Sequence, residues 1–154
     1  WAGSNGITTT TFGVASNSHD NNVGTMVGYC FRSIKGYSKI GAYTGNGNTD
    51  GPFIYCGFKP AFVMIKNYTT GNYSWTINDT ARTPTNVMDK WLYPNVDIAE
   101  ASGSSYNMDL LSNGFISRNT GSNTNDNNNG YIYMAFAENP IVANVGQSIP
   151  ATAR

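Results

Sequence analysis

Apolar residues recur at every second position in short runs along this chain, and clusters of Gly, Asn, Pro and Ser separate the runs. That is the pattern of strands joined by tight turns. Tyr73, Trp75 and Ile77 alternate with Ser74, Thr76 and Asn78, and Tyr106, Met108 and Leu110 alternate with Asn107 and Asp109. Both runs predict a strand with the aromatic and aliphatic set buried and the polar set wet. Three other runs are apolar on both parities: between Met26 and Phe31, between Ala61 and Ile65, and between Tyr131 and Ala137. They read as central strands covered on both faces, by a second sheet or a neighbouring subunit.

Further strands are expected at residues 10–14, 37–43, 53–55 and 115–119. One segment, with Val87, Met88, Trp91 and Leu92, has helical spacing, and Pro94 stops it within two turns. The expected fold is all-β: a two-sheet β-sandwich of jelly-roll or concanavalin-like type, with about nine strands and at most one short helix.

An internal repeat organises the chain. Phe12 opens an extended stretch, a polar run follows from Asn17 to Asn22, and Gly24 leads into a strand ending near Phe31. The same order returns with Phe115, the polar run from Asn119 to Asn129, and Gly130 leading to Phe136. Residues 1–40 therefore read as the closing strands of a preceding repeat or as an assembly-mediating arm, residues 41–140 as a complete sandwich module, and residues 141–154 as a C-terminal tail. A first residue of Trp rather than Met reads as a processed chain or one piece of a longer one.

Charge changes the picture by its scarcity. Only 12 % of the 154 residues are charged, nine basic against nine acidic. No field of either sign exists to steer the chain onto nucleic acid or anionic lipid. The longest nearly uninterrupted apolar run, residues 131–137, is a third of the roughly 20 residues a membrane-crossing helix needs. The aromatic fraction of 13 % excludes a disordered polar tract. Cys30 and Cys56 both fall in apolar runs, where a thiol packs as a small hydrophobe; a disulfide requires the two Cα atoms to come within about 7 Å.

Candidate chemistry is sparse. The single histidine, His19, lies in an Asn/Asp-rich turn beside Asp20, away from an obvious nucleophile. The carboxylates Asp50, Asp79, Asp89, Asp97, Glu100, Asp109 and Glu138 form no paired motif of the kind glycoside hydrolysis needs. Nucleotide-binding glycine loops are absent. No catalytic residue and no cofactor is therefore expected. The run from Asn123 to Asn129 offers a weak calcium site built on Asp126 and Asn125, with a single carboxylate for a cation that takes six to eight oxygens. Three glycosylation sequons start at Asn67, Asn72 and Asn78.

Exposed aromatic rings beside amides are what sugar recognition uses, the ring taking the apolar face of a pyranose. Trp75, Trp91, Tyr68, Tyr73 and Tyr93 are the candidate rings, with Asn46 and Asp50 as polar partners. Core or subunit interface is the competing role for every one of these aromatics.

Five blocks carry a family resemblance: Tyr43-Thr-Gly-Asn-Gly-Asn-Thr-Asp-Gly-Pro-Phe53, Gly57-Phe-Lys-Pro-Ala-Phe-Val-Met-Ile-Lys66, Asp89-Lys-Trp-Leu-Tyr-Pro-Asn95, Leu111-Ser-Asn-Gly-Phe115 and Tyr131-Ile-Tyr-Met-Ala-Phe-Ala-Glu-Asn-Pro140. In this order they resemble an uncharacterised β-rich module that recurs in predicted virion structural and tail-fibre-like proteins of marine bacteriophages. The resemblance spans roughly residues 24 to 140 and has no activity attached to it. It implies a structural protein of a virion, located on the particle or outside the cell, that self-assembles through sheet faces and edges with copies of itself or neighbouring virion subunits. The alternative is a carbohydrate-binding adhesin for host-surface glycans. Within the first block, Gly45, Gly47 and Gly51 are expected to supply positive φ and Asn46, Asn48 and Asp50 to bond their own backbone, making a long ordered turn.

Overall fold

The computed structural model describes residues 27–140, and the chain divides into two compact units, Trp1–Phe31 and Arg32–Arg154. Of the first unit only residues 27–31 are described, so the strand expected at residues 10–14, the first copy of the repeat up to Met26, and His19 lie outside the described residues, as does the tail at 141–154. Residues 27–31 form no strand, contrary to the twice-apolar pattern, and Val27 and Tyr29 are 74 % and 81 % exposed. An apolar run supplies the capacity for burial; whether it is buried depends on the surface it meets.

The second unit is all-β, with nine antiparallel strands among the described residues. β1 (Ser38–Thr44), β9 (Gly130–Ala137), β3 (Pro60–Asn67) and β4 (Thr76–Asp79) form a four-stranded sheet in that order. β2 (Phe53–Tyr55), β8 (Gly114–Ser117) and β7 (Met108–Leu111) form a three-stranded sheet, and β5 (Lys90–Trp91) pairs with β6 (Ala101–Ser102). The two larger sheets bury Ile54, Val63, Ile65, Met108, Leu110, Phe115, Tyr131, Tyr133 and Ala135 in one core. This is a β-sandwich-like arrangement, in which alternate residues of facing strands fill the space between the sheets.

Aromatic rings dominate the middle of that core. Tyr43 stacks on Tyr131 with centroids 5.0 Å apart, and Phe115 meets Tyr133 edge-to-face at 5.3 Å. Gly41, opposite Tyr133 in the β1–β9 ladder, leaves room for its ring: a Cβ there would sit 2.9 Å from the ring carbon Cε1.

Two sequence expectations reverse. In β4, Thr76 and Asn78 are the fully buried pair, lying beside Ile65 and Val63, while Ile77 faces outward and is only half-buried. Alternation fixes which residues share a face but not which face turns inward. The expected helix around Val87 to Leu92 is absent: Lys90 and Trp91 are strand β5, and Met88 and Leu92 make isolated bridges to Met108 and Ile77. Pairing with adjacent edges satisfies the backbone there, a tertiary effect that a local spacing pattern does not contain.

Two connections cross between the sheets side by side: residues 45–52, linking β1 to β2, and residues 118–129, linking β8 to β9. Because β1 pairs with β9 and β2 with β8, the two crossings run antiparallel over one corner of the sandwich. Gly45 N–H donates to the Asn129 carbonyl, Gly47 N–H to that of Asn125 and Gly51 N–H to that of Ser117, at 2.9 to 3.1 Å. The strand–turn–strand unit beginning at Phe115 is thus an arch between sheets rather than a hairpin.

Candidate functional site

The outer face of the four-stranded sheet is apolar where an antiparallel sheet facing water would be polar. Its central row runs across all four strands as Ile40, Met134, Met64 and Ile77, each the registered partner of the next. A second row places Phe136 beside Phe62, their ring centroids 5.9 Å apart, and a third places Ala42, Ile132 and Lys66 together. Tyr37 packs its ring edge-on against Phe136. Ile132, in β9, one of the two central strands, is 41 % exposed, and Ile40, Phe62, Met64, Ile77 and Met134 are half-buried.

Polar groups sit at the rim. The Lys66 ammonium donates to the Tyr73 carbonyl, and Asp79 is paired with Arg82, whose Nε lies 2.9 Å from Glu100 Oε2. An apolar centre with methionine at its middle and a polar surround is the anatomy of a protein–protein contact.

The edges are less available than the faces. On the outer edge of β1, Ser33 Oγ accepts from Ile40 N–H at 3.0 Å and donates to its carbonyl at 3.3 Å. On β7 the Asn86 carboxamide does the same for Leu110, both bonds at 3.0 Å. Leu92 pairs with Ile77 on the outer edge of β4. Side chains and single bridges thus occupy backbone groups that would otherwise template another strand. Of the four edge strands of the two larger sheets, β2 remains, and it is only three residues long.

Of the rings proposed from sequence for sugar binding, Trp91 and Tyr93 are brought together around Tyr106. Trp91 is 4 % exposed and belongs to the interior; its Nε1 has no protein hydrogen-bond partner among the described residues, and its ring meets Tyr93 and Tyr106 edge-to-face at 6.4 and 5.1 Å. Burial, followed by the neighbouring Tyr93, raises the Tyr106 phenol to about 12. Tyr73 is half-buried, and so is Trp75, whose N–H donates to Asn95 Oδ1. Tyr68 is exposed, with its ring over Gly130. Asn46 and Asp50 are bonded to each other at the sheet-crossing corner, through Asn46 Nδ2 and the Asp50 carbonyl at 2.9 Å.

That corner also holds Asn125 and Asp126. Asn125 is fully buried; its amide nitrogen donates to Asn46 Oδ1 and to the carbonyls of Asn48 and Asn119, and its oxygen accepts from Asn46 N–H. Asp126 accepts from Asn127 N–H at 2.8 Å and from Asn129 Nδ2 at 3.0 Å. Both groups therefore hold the loop. The run from Asn119 to Asn129 is polar in sequence, yet Asn119, Asn123, Thr124 and Asn125 are all buried. Of the three glycines in the facing turn, only Gly47 has positive φ, at 63°. Gly45 and Gly51 are needed for close approach, since a Cβ on either would press into the carbonyl oxygens of Asp126 and Ser117 respectively.

Among the acidic groups, Asp50 and Asp109 share one guanidinium: Arg118 Nη1 lies 2.6 Å from Asp50 Oδ1 and Nε 2.7 Å from Asp109 Oδ2. The hydrogen bond to Asp109 leads the effects that raise the Arg118 pKa. Both cysteines are free thiols; Cys56 is buried, its thiol pushed up to about 12 chiefly by desolvation, while Cys30 is exposed, against the expectation of burial. Two sequon asparagines, Asn67 and Asn78, are fully buried, and Asn72 is exposed. No group of three metal-binding side chains occurs among the described residues.

A family described as a domain of unknown function, DUF7483, matches residues 1–140, nearly the whole chain. No curated protein and no solved structure matches it. The chain belongs to the DUF7483 family.

Proposed function

We propose that this member of the DUF7483 family is a non-enzymatic structural module of a bacteriophage virion, in a tail fibre or appendage or in a surface layer, that joins copies of itself through the outer face of its four-stranded sheet. The observation that carries the reading is the Ile40–Met134–Met64–Ile77 row with Phe62, Phe136 and Ile132 beside it. Burial of such a face returns roughly 25 cal/mol for each Å² of apolar surface removed from water. The occupant is a second copy because a chain of zero net charge and low charge density has little long-range repulsion against itself. Capped edges favour face-to-face contact over continuous strand addition.

Placement on a virion rests on the resemblance of the five sequence blocks to phage structural modules. Electron microscopy of the purified chain tests the assembly: ordered rings, filaments or layers are expected, and uniformly single particles at high concentration contradict it. Mass spectrometry of purified particles from a phage encoding the chain tests the location.

A further inference from the structure

The opposite side of the sandwich carries a surface of another kind. β2 is exposed, buried, exposed along its three residues, so Phe53 and Tyr55 project together from the outer face of the three-stranded sheet. They are 48 % and 62 % exposed. About 7 Å separates residues two apart on a strand. Behind Tyr55 the ladder places Gly114 and then Leu111; behind Phe53 it places Ile116 and then Asp109. Gly114 lets the Phe53 ring lie over it, since a Cβ there would sit 3.0 Å from the ring carbon Cε2 and would press on the Ile54 carbonyl.

Arg118 continues this face past β8, its N–H bonded to the Asn107 carbonyl of the neighbouring chain segment. Two of the five N–H donors of a guanidinium are spent, on Asp109 Oδ2 and Asp50 Oδ1, which leaves three in a fixed orientation. The Asp50 side chain is 84 % exposed. Two carboxylates on one guanidinium leave the cluster with a net negative charge.

We infer that Phe53, Tyr55, Arg118 and Asp50 form a binding surface for a neutral oligosaccharide. Adjacent rings take the C–H faces of successive sugar units, as aromatic side chains take apolar ligand surface generally. The spare Arg118 donors and the free Asp50 oxygen pair with vicinal hydroxyls, the small set of oriented polar groups that gives such a site its selectivity. The net negative charge selects against sialic and uronic acids, whose carboxylates would meet Asp50 and Asp109. The surface lies on the sheet opposite the proposed assembly face, so it stands independently of that reading.

Saturation-transfer NMR with cellopentaose, mannopentaose and galactopentaose, at millimolar ligand, tests the inference on the full chain. At least one neutral oligosaccharide is expected to bind, sialyllactose is not, and Tyr55→Ala or Phe53→Ala is expected to weaken binding about tenfold, or roughly 1.4 kcal/mol, with an unchanged melting temperature. No transfer from any of the three, undiminished binding when Phe53→Ala and Tyr55→Ala are combined in a double variant, or preference for sialyllactose would overturn it. So would a double variant whose sedimentation shows loss of an oligomer, since the face would then be a contact between copies.

Discussion

Asn46 and Asn125 bond each other twice across the corner where the chain passes between sheets: Asn46 N–H donates to Asn125 Oδ1 at 3.0 Å, and Asn125 Nδ2 donates to Asn46 Oδ1 at 3.1 Å. The same Asn125 nitrogen reaches the carbonyls of Asn48 and Asn119, both at 2.8 Å. One buried carboxamide thus ties both crossing loops together, and through them the β1–β9 and β2–β8 ladders.

Asn125→Asp tests this directly. The nearly isosteric change replaces a donor by an oxygen facing three acceptors in a buried site. A loss of about 3 kcal/mol follows from stranding buried polar groups, and Asn125→Ala should lose a similar amount. Urea unfolding of the two variants measures it; a change under about 0.5 kcal/mol, the range of ordinary surface substitutions, would remove Asn125 from its structural role.

The corner glycines give a second, internally controlled test. Gly45→Ala and Gly51→Ala drive a methyl into the backbone carbonyls of Asp126 and Ser117, whereas Gly71 has nothing within 4 Å of a new Cβ. Overpacking of this kind costs about 1–3 kcal/mol. Gly71→Ala should stay within about 0.5 kcal/mol of the parent. Equal melting temperatures for all three variants would contradict the close-approach explanation.

What the sequence shows and what it hides divide along the same physical line. The twice-apolar runs at residues 61–65 and 131–137 identify the two central strands of the large sheet, β3 and β9, because burial demand is written into their composition. The helical spacing of Met88 to Leu92 misleads because backbone partners from β4 and β7 fix that segment. Thr76 and Asn78 are misplaced by polarity alone, since both are buried on the inner face at β4, where Asn78 Nδ2 donates to the Lys90 carbonyl of β5. The glycine loop at residues 45–52 is legible as an ordered turn, but the burial of Asn125 depends on that turn some eighty residues earlier, a pairing that no local pattern contains. Phe53 and Tyr55 are missed as a ligand surface because a three-residue strand gives alternation too short to interpret.

Burial of polar groups at β4 leads to an opposite kind of prediction. Thr76 is fully buried and its Oγ1 has no protein partner. Thr76→Val keeps the shape and removes a hydroxyl whose burial is uncompensated. The variant should match or exceed parental stability by up to about 1 kcal/mol in urea unfolding. Marked destabilisation would mean that the hydroxyl is satisfied.

Alkaline pH should dismantle the aromatic core. Burial is the leading cause that raises the phenols of Tyr43, Tyr106, Tyr131 and Tyr133, with Tyr106 and Tyr133 reaching about 12. Unfolded tyrosine titrates near 10. A raised folded pKa means that the native state holds its proton more tightly. This contribution to stability is complete below pH 10 and is lost as pH rises toward 12. Melting temperature against pH should fall over that window, and phenolate absorbance should show a late phase from these four residues that coincides with unfolding. Complete tyrosine ionisation in a still-folded protein would contradict it.

The assembly face has its most direct test at Ile132, the exposed residue in a central strand of the apolar sheet face. Sedimentation velocity of the parent and of Ile132→Glu, across a wide concentration range, reads the oligomeric state without requiring an ordered lattice. Concentration-dependent association of the parent and a monomeric variant with an unchanged melting temperature are predicted. A parent that stays monomeric throughout, or a variant that associates as the parent does, would contradict the account.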